Sequence, residues 1–141
     1  GLRIGYAVVN NDHYYQHIVD HIESTTAGVS LPSQMIAIEI EKYFLSDREK
    51  YEGFVRETRS ILRHNRDLIN QIDSSILTPL QSDANSMFVW AIPGPKLDNK
   101  KAKVHILDGK LFGSPGFVRL NIAQPTNVIE QAIDRLCKNT I

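Results

Sequence analysis

Apolar residues recur along this chain first at helical spacing and then at alternating spacing, and the change of period divides the sequence. Residues 2 to 9 are rich in β-formers and end at Asn10-Asn11-Asp12, which predicts a strand followed by a turn or helix cap. From Asp12 to about Thr25, Tyr14, Tyr15, Ile18, Val19 and Ile22 fall on a helical stripe, and Gly28 stops the run. "SLPSQMIAIEIEKYF" predicts a second helix, capped by Ser30 with Pro32 in its first turn. The longest predicted helix runs from about Asp47 to Ile72. Phe54, Ile61 and Leu68 share one seven-residue spacing there, and Val55, Leu62 and Ile69 share another. Arg56, Arg59, Arg63 and Arg66 lie away from this stripe. Interleaved Glu57 and Asp67 make them a solvated face rather than a nucleic-acid stripe.

Beyond Asp73-Ser74-Ser75 the period shortens. "SMFVWAIP" is apolar on both faces, as expected of a strand covered on both sides or nearly so. "VHIL" predicts a short strand, "DGKLFGSPG" a glycine-bearing loop and "FVRLNIA" the last strand. The closing helix carries Val128, Ile129, Ala132, Ile133, Leu136 and Cys137 on one stripe, with Thr126 or Asn127 as its cap. The order is strand, three helices, strand, short strand, strand, helix. It predicts an α+β (α/β layered) fold in which helices pack on one face of a small mixed or antiparallel sheet.

Composition narrows the function classes. With 141 residues, 42% of them hydrophobic, the chain can bury one core, and a single domain is the default. A net charge of +0 argues against nucleic-acid and membrane-surface partners, which favour a basic excess. The single cysteine, Cys137, excludes an internal disulfide framework, and its stripe position marks it as a core residue rather than a nucleophile. No apolar run approaches the roughly 20 residues of a spanning helix, and no signal-peptide pattern leads the chain. A soluble, cytoplasmic protein is expected. The chain opens without an initiator Met inside a predicted strand, which suggests a piece of something longer, although Gly1 could be a cloning remnant.

Few residues offer chemistry. His13, His17 and His21 stand at i, i+4 and i+8 with Asp20 nearby, a spacing at which two could share a metal. No open-site glutamate accompanies them, so they read as the polar border of a helix, and no metal site is expected. The nucleophile-elbow pattern G-x-S-x-G and both phosphate-cradling glycine loops are absent. What remains is a pair of arginines, Arg3 and Arg119, each set in an apolar strand. In the last strand Val118, Leu120 and Ile122 alternate onto one face, and Phe117, Arg119, Asn121 and Ala123 onto the other. An unpaired buried guanidinium costs several kcal/mol and cannot shed its proton, so Arg119 needs an anion or water. Arg119 could form an internal ion pair with Asp or Glu, and Arg3 could be a strand end reaching solvent. Taken together, the two suggest a ligand with two separated anionic groups.

Several segments resemble one family in the same order. "GLRIGYAVV" resembles the stretch that follows the cofactor-binding lysine in class I/II aminotransferases, members of the fold-type-I pyridoxal phosphate (PLP) family. "SLPSQMIAIEIEKYF" is similar to the helix that the family opens with Ser-x-Pro-Ser-Gln. "DGKLFGSPGFVRLNIAQP" resembles its C-terminal Phe-Gly, arginine strand and final helix. The resemblance implies that residues 1–9 are the last strand of the large PLP-binding domain and residues 10–141 the C-terminal small domain. It implies that Arg3 contacts the PLP phosphate and that Arg119 pairs with the substrate α-carboxylate. The family's Schiff-base lysine would precede Gly1, so no catalytic residue is expected in this stretch, which should be inactive alone.

The implied activity of the full-length protein is amino-group transfer between an amino acid and a 2-oxo acid, with PLP as cofactor and a homodimer as the working unit. "FVRLNIAQP" also resembles the ending of cystathionine β-lyase-like carbon–sulfur lyases, and the effector domain of an aminotransferase-like transcription regulator shares the pattern. An independent α+β binding module with structural arginines is the remaining alternative. A stretch cut from a large-domain interface should also expose apolar surface and self-associate.

Overall fold

The structure, a computed structural model, describes residues 4–81 and 86–139. Instead of one core-bearing body, the chain divides into two compact units, Gly1–Gly53 and Phe54–Ile141.

The first unit is helical. Residues 4–11 form no regular element; the strand expected over 2 to 9 is not formed by its described part, since a strand exists only by pairing and no described neighbour pairs with it. Helix α1 spans Asp12–Thr25, and the Asn11 side chain caps it by accepting from the Tyr14 amide at 3.1 Å. Ala27 and Gly28 follow with φ of 53° and 90°, which ends the helix. Helix α2 spans Leu31–Leu45, with Ser30 as cap and proline in the first turn, as the sequence predicts. Helix α3 (Arg48–Asn70) starts in this unit, where Asp47 Oδ1 accepts from the amides of Glu49 and Lys50, and continues into the second. None of the described residues of the first unit is buried.

The second unit holds the core. A four-stranded antiparallel sheet in the order β1-β2-β4-β3 is built from β1 (Leu77–Pro79), β2 (Phe88–Pro93), β3 (Leu107–Asp108) and β4 (Val118–Asn121). The three-residue β1 gives no alternation in the sequence, and Pro79 fits it only because it lies on the sheet edge. Val89 pairs with Leu120 and Ala91 with Val118, which points one face of the sheet inward. That face meets Leu62 and Ile69 of α3 and Ile129 and Leu136 of α4 (Thr126–Lys138) in one buried cluster. The expected layering, helices on one face of a small sheet, is what forms.

Three local expectations change. Arg66, expected in solvent, is buried, and its Nη2 donates to the Ser86 carbonyl at 2.8 Å. Its neighbour Asn65 is also fully buried and donates from Nδ2 to the carbonyls of Ile122 and Gln124, both at 2.9 Å. Helix and strand end are thereby tied by a polar contact that an apolar stripe does not reveal. Cys137, expected in the core, is exposed: Ile129 and Leu136 define the inward line of α4, and the next residue turns about 100° away from it. Neither Thr126 nor Asn127 caps α4; the cap position is Pro125, whose carbonyl accepts from the amides of Val128 and Ile129.

Candidate functional site

The sheet face turned away from the core carries the second arginine. Arg119 stands opposite Trp90 of β2 and Leu107 of β3, so these three side chains form a row across the sheet, and Phe88 lies diagonally beside it. The alternation that buries Leu120 and Ile122 is what turns Arg119 outward.

A fourth group comes from a loop. The turn of 3-10 helix Gly109–Phe112 opens with Asp108 Oδ1 accepting from the Lys110 amide at 2.9 Å and closes at Gly113, whose φ of 73° is left-handed. A side chain at Gly109 would collide with the carbonyl oxygens of Ser114 and Phe117, so the loop folds tightly against the strand only with glycine there. This turn carries Phe112 to Arg119. The guanidinium carbon sits 3.7 Å from the Phe112 ring centroid and 4.2 Å from that of Phe88. Trp90 meets Phe112 edge to face at 5.8 Å.

No carboxylate of the described residues forms an ion pair with Arg119. Its Nε is buried and has no hydrogen-bond partner among them. The internal ion pair that the sequence allows is therefore not made by the described residues. Ring contacts of about 0.5–2 kcal/mol each offset part of the several kcal/mol that a desolvated cation costs. Neither ring accepts a conventional hydrogen bond, so the guanidinium N–H groups keep their capacity for an oxygen acceptor. The site is a half-buried cation in an aromatic setting, with no ion-pair partner among the described residues. It can bind a planar oxyanion.

Phe88, Trp90 and Phe112 are the site residues that sequence reading misses. Phe88 and Trp90 share the parity of the outward face, a signal hidden by the apolar look of the whole strand. Phe112 lies in a loop and has no periodic signal at all. Arg3 lies outside the described residues. The histidines of α1 come together only as a pair, His13 Nε2 and His17 Nε2 at 3.2 Å, and no cluster of three or more His, Cys, Asp or Glu placed to hold a metal occurs among the described residues.

Among the described residues, Asp47 and Asp73 have lowered pKa values. Asp47 is lowered first by the Lys50 amide and Asp73 first by the Ser75 side chain, and neither surrounds Arg119. A cavity of about 510 Å³ opens on the helix side of the sheet, between α4 and the 103–106 segment, and does not include Arg119.

The aminotransferase class I and II family model matches residues 1–136. A Thermus thermophilus aspartate aminotransferase mutant matches with 19% identity over 89% of this chain and 36% of its own, at a TM-score of 0.68. A PLP-dependent aminotransferase from Streptococcus suis 89-1591 matches at 18% identity, TM-score 0.69, over 98% of this chain and 37% of its own. An α-aminoadipate aminotransferase, also from Thermus thermophilus and solved with N-(5'-phosphopyridoxyl)-L-leucine, matches at 20% identity and a TM-score of 0.65, over 93% of this chain and 36% of its own. The chain thus spans little more than a third of the length of these structures. No curated protein matches it significantly.

Proposed function

The chain belongs to the class I and II aminotransferase family, and from that premise we propose that it is the C-terminal part of a PLP-dependent aminotransferase in which Arg119 binds the substrate α-carboxylate. The observation that carries this reading is the buried Nε of Arg119, which has no partner among the described residues and stands on a strand face with no described acid to neutralise it. A cation kept in that state is suited to an anion that arrives with the substrate, and a bidentate carboxylate matches its planar fork.

Residues 1–9 would belong to the large domain and 10–141 to the small domain. Of the cofactor itself this chain would touch only the phosphate, through Arg3; the lysine that would carry it falls before Gly1. When bound, PLP supplies an electron sink for the carbanion formed at the substrate α-carbon. Arg119 contributes orientation. By fixing the carboxylate it decides which bond at the α-carbon faces the proton-transferring base, an effect that can be worth several kcal/mol of the barrier. The 141-residue chain alone would be inactive for want of that base. The whole enzyme would act as a cytoplasmic homodimer on an amino acid and a 2-oxo acid.

The test uses the full-length protein. Borohydride reduction should leave a PLP-sized mass adduct on a lysine upstream of Gly1. Arg119→Ala should keep that adduct yet raise the KM for the amino acid by about 100-fold or more, as expected when one half of a desolvated charge pair is removed. An unchanged KM would remove Arg119 from the substrate site. Ammonia release without a 2-oxo acid acceptor would mark β-elimination instead of amino transfer. An adduct without turnover would mark an effector domain.

A further inference from the structure

Arg119 cannot be held in place by a carboxylate that the described residues do not offer it, so its geometry must come from elsewhere. We propose that Phe88 and Phe112 are positioning residues that hold the Arg119 guanidinium for an in-plane carboxylate, with Trp90 bracing Phe112. This rests on the reading of Arg119 as the substrate-carboxylate arginine.

The geometry is specific. A long arginine side chain on a sheet surface samples many rotamers, and ordering it for a ligand costs about 0.5–1.5 kcal/mol. Here the guanidinium carbon lies over two rings, at 3.7 Å and 4.2 Å from their centroids. A ring restrains the guanidinium without accepting from its N–H groups, whereas an acid would hold it by occupying those donors. An acid there would compete with the substrate; a ring does not. Both rings are themselves anchored. Phe88 sits in the β2–β4 ladder opposite Asn121, and Phe112 rides on the turn set by Gly109 and Gly113 and is met edge-on by Trp90.

Phe112 is the informative position because it is 40% exposed and belongs to a loop, so replacing it leaves the core untouched. The probe is 4-methylpentanoate, a carboxylate with no amino group to react, titrated into the full-length protein by calorimetry, with 4-methylpentanamide as the uncharged control. Phe112→Leu keeps an apolar side chain and removes the π face. It should weaken carboxylate binding by about tenfold, in line with the loss of one desolvated cation–π contact. Phe112→Tyr should bind within about twofold of the parent, and the amide should not respond to either change.

If Leu and Tyr weaken binding alike, the ring acts by shape and the proposal is overturned. If Leu changes nothing while Arg119→Ala abolishes binding, the positioning role is overturned and the carboxylate role of Arg119 stands. If Arg119→Ala also changes nothing, the carboxylate reading itself fails, and the positioning role falls with it.

Discussion

The two units of this chain are both rich in apolar residues, yet only one of them buries any among the described residues. In α2, apolar residues run round the helix instead of along one stripe, and Leu31, Met35, Ile36, Ile38 and Ile40 are all exposed. A helix of that composition is a buried helix by nature. In the second unit, the sheet gives α3 and α4 a surface to meet, and Leu77, Val89 and Ile122 are completely enclosed. Apolar periodicity therefore tells which residues seek cover, whereas burial requires a second surface to supply it. The helices of the first unit carry apolar residues that no described surface covers.

Truncating one residue in each unit of the 141-residue chain should have very unequal effects. Ile122→Ala should cost about 2–5 kcal/mol in denaturant unfolding, while Ile38→Ala should cost no more than about 0.5 kcal/mol. Equal losses would mean that the first unit is packed after all. Next in size is Asn65→Ala, which leaves the buried Ile122 carbonyl and the part-buried Gln124 carbonyl without their donor. A loss of about 1–3 kcal/mol is expected from the same unfolding curves.

A smaller effect on stability, with a clear effect on solution state, comes from charging α2. The chain should scatter light as species larger than a monomer at high concentration, and Ile36→Glu with Ile40→Glu should return it towards a monomer. Strict monomer behaviour before substitution would show that the apolar face of the first unit does not associate.

The smallest effect is acidic. Asp47 and Asp73 titrate below their ordinary 3.8, lowered chiefly by hydrogen bonds from Lys50 and Ser75 respectively. A depressed folded-state pKa gives stability that is fully present above the unfolded value and is lost as pH falls through the folded one. The contribution of these two groups should thus be lost as pH falls below about 3.8, and Asp73→Asn, which keeps the acceptor oxygen but cannot titrate, should shrink that loss.

Much of the architecture is legible before any coordinates. The caps Asn11 and Ser30, the long helix from residue 48 and the last strand and helix follow from local rules of hydrogen bonding and apolar spacing. The strand at the start is not formed by its described residues, because pairing is a property of two segments and local composition describes one. Cys137 and Arg66 exchange their expected settings for a similar reason. A helical stripe is wide at its edges, and the neighbouring element decides which edge is covered.

The functional site divides along the same line. Sequence alone determined that Arg119 faces away from Leu120 and Ile122, because side chains alternate along a strand whatever surrounds it. It also carried the motif order that leads to the family. What meets Arg119 was set by the packing of separate segments. Phe88 lies in a distant strand and Phe112 in a loop, and the chain brings them to the arginine through ladder register and a glycine-shaped turn. Those are contacts between segments, and no spacing within one segment encodes them.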